Sequence, residues 1–153
     1  MQNVIIIIAS VGSGLIVLLV ILRLLFTAAR IRLSRVVDKH VTGQEVLLQT
    51  LRANSFGQSS RGARQIRGNG ALILTAQELT FIMFLPRRIT SIPVCNIASV
   101  TKAKRHLGKS TIRPLLRVDF QSSNGDDSIA WSVDHLDEWR NAIETARYHI
   151  RSQ

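Results

Sequence analysis

The sequence predicts a small, mainly β domain closed by one C-terminal helix and held behind an apolar N-terminal helix. Three observations carry this reading. Residues 4–26 are almost wholly Ile, Val, Leu, Ala and Gly, broken only by Ser10, Ser13 and Arg23. Short apolar runs punctuated by turn residues then recur along residues 44–133. Finally, Leu136, Trp139, Ile143, Ala146 and Ile150 are spaced three, four, three and four apart, which places them on one face of a helix.

The N-terminal run of 23 residues would span roughly 34 Å as a helix, enough to cross a hydrocarbon core of about 30 Å. Its apolar residues occupy every face, which a helix half in water could not sustain. Arg23 near its end can keep its stem in lipid while the guanidinium reaches the headgroups. Only Gln2 and Asn3 precede the run, whereas Arg30, Arg32, Arg35 and Lys39 follow it. Positive flanks are kept on the cytoplasmic side. The expected topology is therefore single-pass in the plasma membrane, with the N-terminus outside and the domain in the cytoplasm. The lack of a basic n-region and the length of the run favour an anchor over a cleaved signal peptide. Arg23, Arg30, Arg32 and Arg35 are then candidate membrane-interface residues, able to meet anionic headgroups.

Residues 1–27 thus read as the anchor, 28–43 as a basic juxtamembrane linker, 44–150 as the folded domain and 151–153 as a tail. Within the domain, residues 45–51 form a first strand, and the Ser-, Gly- and Arg-rich stretch 53–69 reads as a long loop carrying Arg61, Arg64 and Arg67. Gly68 and Gly70 lend flexibility at the entry to the next strand. Residues 70–74 and 79–84 are apolar runs at hairpin spacing, and Pro86, Arg87 and Arg88 turn the chain into strands over 89–93 and 97–102. A second basic loop is expected over 106–113, then a strand carrying Leu115, Leu116, Val118 and Phe120. Asn124-Gly125 forms a turn into 128–133. Asp134 is the expected N-cap of the last helix, with Asp137 three residues on. About seven strands joined mostly as hairpins, followed by one helix, make a meander that curls into a barrel whose open end the helix covers.

Charge is unevenly placed. The net charge is +10, yet residues 52–117 hold twelve Lys or Arg against the single acid Glu78, while residues 119–144 hold seven acids against Arg140. One basic surface and one acidic end follow. The lone cysteine, Cys95, excludes an intrachain disulfide and a cysteine-rich metal site. Its apolar surroundings in sequence predict a small buried side chain.

Three stretches carry a resemblance: G-N-G-A-L-I-L-T-A-Q-E-L-T-F over 68–81, I-P-V-C-N-I-A-S-V over 92–100, and D-E-W-R-N-A-I over 137–143. Together they resemble the pleckstrin-homology (PH) superfamily, particularly its GRAM-like branch. The resemblance implies a PH-like barrel of seven antiparallel strands with a capping helix, in which Trp139 is the helical Trp that packs on the barrel. It further implies an adaptor, and a basic loop after the first strand, here with Arg61, Arg64 and Arg67, that meets phospholipid. The Lys-rich arrangement of headgroup-binding members is absent, so the implied contact is with an anionic membrane in general.

Arg61, Arg64, Arg67, Lys102, Lys104, Arg105, Lys109 and Arg113 are accordingly the candidate contacts for anionic lipid or an unknown protein partner, with Arg87 and Arg88 beside them. A nucleic-acid-binding domain tethered to the membrane is the alternative, but the basic loops lack interleaved aromatics apart from Phe56. No catalytic, cofactor or metal site is expected. His40, His106, His135 and His149 show no ligand spacing, and no nucleophile motif or phosphate loop is present. Trp131 and Trp139 read as core.

Overall fold

The computed structural model describes residues 16–24, 27 and 43–152. The chain divides into two units, Met1–Asp38 and Lys39–Gln153. In the first, residues 16–24 and Thr27 are helical, and the Thr27 hydroxyl donates to the Arg23 carbonyl at 2.8 Å, four residues back. The large apolar residues from Ile16 to Leu24 are 42–64% exposed, so no side of this stretch is buried. Among the described residues, no helix is long and apolar enough to cross a membrane. The rest of the span expected over 4–26, and the interface residues Arg30, Arg32 and Arg35, lie outside the described residues.

The second unit is an antiparallel sheet followed by a helix. Its strands are β1 (Val46–Gln58), β2 (Gly68–Thr75), β3 (Glu78–Met83), β4 (Arg88–Pro93), β5 (Ile97–His106), β6 (Lys109–Ser122) and β7 (Gly125–Ser132), and the C-terminal helix covers Leu136–Arg151. All seven lie in one open sheet in the order β4-β3-β2-β1-β7-β6-β5. The seven strands and terminal helix are as expected from the sequence, but the sheet is open rather than a closed barrel, with β4 and β5 as its edges. β1 joins the halves: its residues 46–55 pair with β2, and Asn54, Ser55 and Gln58 pair with β7. Bulges within β1 let one strand serve both partners.

The core lies on one face of the folded sheet and under the helix. Leu72, Leu74, Phe81, Val118, Ile129 and Trp131 from the strands meet Trp139 and Ile143 from the helix. Trp131 is fully buried, with its ring 5.9 Å from that of Phe81. Trp139 is core as the sequence predicts. On the opposite face of β2 and β3, Ala71, Ile73 and Ile82 are also buried, which explains why these strands read as unbroken apolar runs instead of alternating ones. A helical Arg147 fastens the helix to β5: its Nε donates to the Ile97 carbonyl at 3.0 Å and one terminal nitrogen to the Ala98 carbonyl at 2.5 Å.

Several local expectations change. β1 runs on through Ala53–Gln58, which had read as loop, because Ala53, Ser55 and Phe56 are buried against neighbouring strands. The second basic loop shrinks to a two-residue turn at Leu107-Gly108, since β5 extends to His106 and β6 begins at Lys109. Gly70 is required by close approach: a Cβ there would lie 2.3 Å from the Ile82 carbonyl and 2.7 Å from the Phe81 ring. Cys95 is exposed in a short 3₁₀ turn (Val94–Asn96), whose buried member is the neighbouring Val94. The helix N-cap is His135, in the left-handed region at φ 55°, with no side-chain cap. Asp134 faces Arg52 at 3.7 Å and Asp137 holds Lys102 at 2.6 Å. Asp137 therefore joins the helix to β5, Asp134 ahead of the helix faces β1, and neither acid caps it.

Candidate functional site

The loop after β1 begins on a buried carboxylate. Asp127, on β7, accepts hydrogen bonds from Gln58 Nε2 at 2.5 Å, from the hydroxyls of Ser59 and Ser60 at 2.6 and 2.7 Å, and from the Ser60 amide at 2.9 Å. Its own neighbour Ser128 adds an amide at 2.8 Å. Burial pushes this carboxyl up, but the donors from Ser59, Ser60 and Gln58 outweigh it and hold it well below the usual carboxylate range. Asp127 is thus ionised and fully satisfied. Its work is to fasten the start of the loop to β7.

The end of the loop is fastened to the β5–β6 hairpin. Lys109 Nζ donates to the Gln65 carbonyl at 2.5 Å and to the Phe56 carbonyl at 3.4 Å. Buried His106 donates from Nε2 to the Gly57 carbonyl at 2.9 Å. Because a carbonyl can only accept, that bond fixes the Nε2–H tautomer. Desolvation by burial lowers the His106 pKa, only partly offset by the Gly57 bond. The Arg67 guanidinium stacks 4.1 Å from the centre of the Phe56 ring. Phe56 itself packs with Leu115 and Ala130 in a small cluster apart from the main core.

A third loop adjoins these two. The Phe84 amide donates to the Asn69 carbonyl at 2.9 Å, and Gly68 lies directly under the Met83 side chain. The β3–β4 turn, with Arg87 and Arg88, therefore sits beside the end of the β1–β2 loop. The β1–β2 loop thus adjoins both the β5–β6 hairpin and the β3–β4 turn, and these segments with the first residues of β4 and β6 carry Arg61, Arg64, Arg67, Arg87, Arg88, Arg105, Lys109 and Arg113. All of these except Lys109 are exposed, and among the described residues none forms a salt bridge with a carboxylate.

Two candidates from the sequence play other parts. Lys102 is held by Asp137 of the C-terminal helix and does not join the loop surface. Lys109 belongs to it but is occupied by two backbone carbonyls, so its charge is partly spent on the fold. Lys104 is exposed on β5 ahead of the hairpin, and Arg105 makes only a long contact of 3.4 Å with Ser110. Arg23 is exposed within the helical residues of the first unit. Asp127, His106 and Arg147 were not singled out from sequence as structural anchors. Asp127 sits in an Asp-Asp pair after an Asn-Gly turn, which accounts for its acidity without its burial.

The open groove beside Asp127, about 470 Å³, is lined in part by Ser59, Ala98, Arg117, Asp119 and Asp126. Its lining is net acidic, but each acid is already engaged: Arg117 holds Asp119 at 2.7 Å, Gln121 donates to Asp126, and Asp127 is filled by the start of the loop. Among the described residues, no group of His, Cys, Asp or Glu could hold a metal ion.

No protein-family model matches the chain. No curated protein matches it either. Solved structures do. The Vps36 N-terminal PH domain superposes with a TM-score of 0.52 at 18% identity, over 73% of this chain and 85% of that one. This chain has a PH-like fold. A C-terminal domain of an unknown protein from Leishmania infantum gives a TM-score of 0.55 at 15% identity, over 72% of this chain and 91% of that one. A chain of the 8S snRNP assembly intermediate gives 0.52 at 11%, over 67% and 82%. At such identities the likeness establishes fold and leaves the activity of the PH-like domain to its surface.

Proposed function

We propose that the PH-like domain is a non-catalytic binding module of the GRAM-like branch, held at the cytoplasmic face of the plasma membrane by the N-terminal apolar segment. It docks anionic phospholipid headgroups or a protein partner through its basic loop surface. The observation that carries this reading is that Lys109, His106 and Phe84 tie the β1–β2 loop to the β5–β6 hairpin and the β3–β4 turn, neighbouring segments whose exposed arginines make no salt bridge among the described residues. Each such residue near an anionic bilayer contributes about 1 kcal/mol, so three or four facing it suffice to hold a domain that a tether already concentrates at millimolar levels.

Support for the tether comes from the apolar run over 4–26 with its basic flank, and from the all-round exposure of its helical residues 16–24. The absence of a stacking platform in the basic loops, where Phe56 is already covered by Arg67, favours lipid or protein over nucleic acid.

Cys95 provides the test, being exposed and the only cysteine. With the full chain in nanodiscs, energy transfer from a dye on Cys95 to a dye in the bilayer should change when phosphatidylserine replaces neutral lipid. The change should reverse at high salt and shrink in an Arg61→Glu, Arg64→Glu, Arg67→Glu variant. Insensitivity to lipid charge would remove the lipid half of the reading. Protease access in intact cells checks the topology, and an external C-terminus would overturn it.

A further inference from the structure

Three of the most exposed apolar side chains of the domain lie on the basic β1–β2 loop, on the β3–β4 turn and in the first residues of β6, segments that adjoin one another through Lys109 and Phe84. Ile66 of the β1–β2 loop is 82% exposed, Leu85 of the β3–β4 turn 84%, and Ile112 of the β6 bulge 101%. Each has a basic residue within two positions: Arg67 and Arg64 beside Ile66, Arg87 after Leu85, and Arg113 after Ile112. None belongs to either cluster of the core. Packing inside the domain therefore does not explain them.

From this geometry we infer that Ile66, Leu85 and Ile112 are membrane-penetrating tips, which enter the acyl boundary of an anionic bilayer while the neighbouring arginines stay at the headgroups. The inference rests on the reading of the loop surface as membrane-facing and adds to it a depth and an orientation. A protein partner would have to offer three separate pockets, each rimmed with negative charge. A bilayer meets the same pattern without special shape, because anionic headgroups overlie hydrocarbon everywhere on its surface. Two of the tips are firmly mounted: Lys109 holds the carbonyl of Gln65, the residue before Ile66, and the amide of Phe84, the residue before Leu85, holds the Asn69 carbonyl.

The arrangement also orients the domain. Cys95 adjoins Val94, whose amide bonds the Gln77 carbonyl in the β2–β3 turn, at the other end of β3 and β4 from Leu85. With tips inserted, Cys95 points away from the membrane.

The test uses the full chain in nanodiscs, with Cys95→Ser and a single new cysteine by Ile66→Cys, Leu85→Cys or Ile112→Cys, each labelled with an environment-sensitive fluorophore. Wild-type Cys95 and Gln77→Cys in the Cys95→Ser background are the far-end controls. In phosphatidylserine bilayers the three tip labels should shift to the blue and be quenched by lipids brominated on the acyl chain, and the two controls should not. Replacing the three tips with Ser should reduce the fraction of domain held at the bilayer on the order of tenfold or more. Far-ultraviolet circular dichroism confirms that each variant is folded. If the domain responds to lipid charge while all tip labels stay in water, the insertion is overturned and surface docking stands. If the domain ignores lipid charge altogether, both are overturned.

Discussion

The two ends of the β1–β2 loop put charge to opposite uses. At its start, Gln58, Ser59 and Ser60 converge on one buried carboxylate, Asp127, whose oxygens are filled by the fold. Beyond it, Arg61, Arg64 and Arg67 are exposed and make no salt bridge among the described residues. A buried charge that satisfies several donors is costly to remove, because each donor is then stranded away from water. An exposed charge costs almost nothing to remove and is available to a partner. The loop is fastened near both ends, by Asp127 and by Lys109, and its exposed arginines are left for a partner.

The largest effect should come from breaking the buried end. Asp127→Ala strands the donors of Gln58, Ser59, Ser60 and Ser128 and should destabilise the domain by about 3 kcal/mol. Urea unfolding followed by the fluorescence of the two core tryptophans, Trp131 and Trp139, checks this. A loss under 1 kcal/mol would mean that the loop is not held there. Arg147→Ala, which releases the helix from the Ile97 and Ala98 carbonyls, should cost about 2 kcal/mol in the same measurement.

Acid should act in the same direction through two groups. His106 is kept neutral by burial, so its contribution is present above its ordinary value of 6.5 and is lost as pH falls below that. Asp127 is held low by its donors. Its contribution is present above the ordinary value of 3.8 and is lost as pH falls from there toward the folded value. Stability should therefore decline in two stages on acidification. His106→Gln should erase the first and Asp127→Asn the second, as read by unfolding midpoints across pH.

The smallest stability effect belongs to the exposed end. Arg61→Glu and Arg64→Glu should each change unfolding free energy by less than about 0.5 kcal/mol while weakening the response to anionic lipid. A stability loss comparable to that of Asp127→Ala would abolish the distinction between the two ends.

The main features of the fold were legible because they rest on periodicity. The apolar runs of β2 and β3, the Asn124-Gly125 turn and the one-faced helix around Trp139 all announce themselves locally. What was misread rests on burial by distant parts of the chain. Ala53–Gln58 is polar and Gly-containing, yet is strand because β2 and β7 flank it. Residues 109–113 are basic, yet extend β6 because the bulge between the Ala103 and Arg105 pairings absorbs the mismatch with β5. Cys95 looks apolar by its neighbours, but a 3₁₀ turn points Val94 inward and leaves the cysteine outside.

Strand number, the covering helix and the excess of positive charge are properties of short stretches, set by spacing and composition, and the sequence alone determined them. Which charges are free was decided only in three dimensions. Lys102, Lys109 and Asp127 read like their neighbours along the chain, but are consumed by partners 35 to 69 residues away. Salt bridges and desolvation depend on distance in space, and no local pattern encodes that distance.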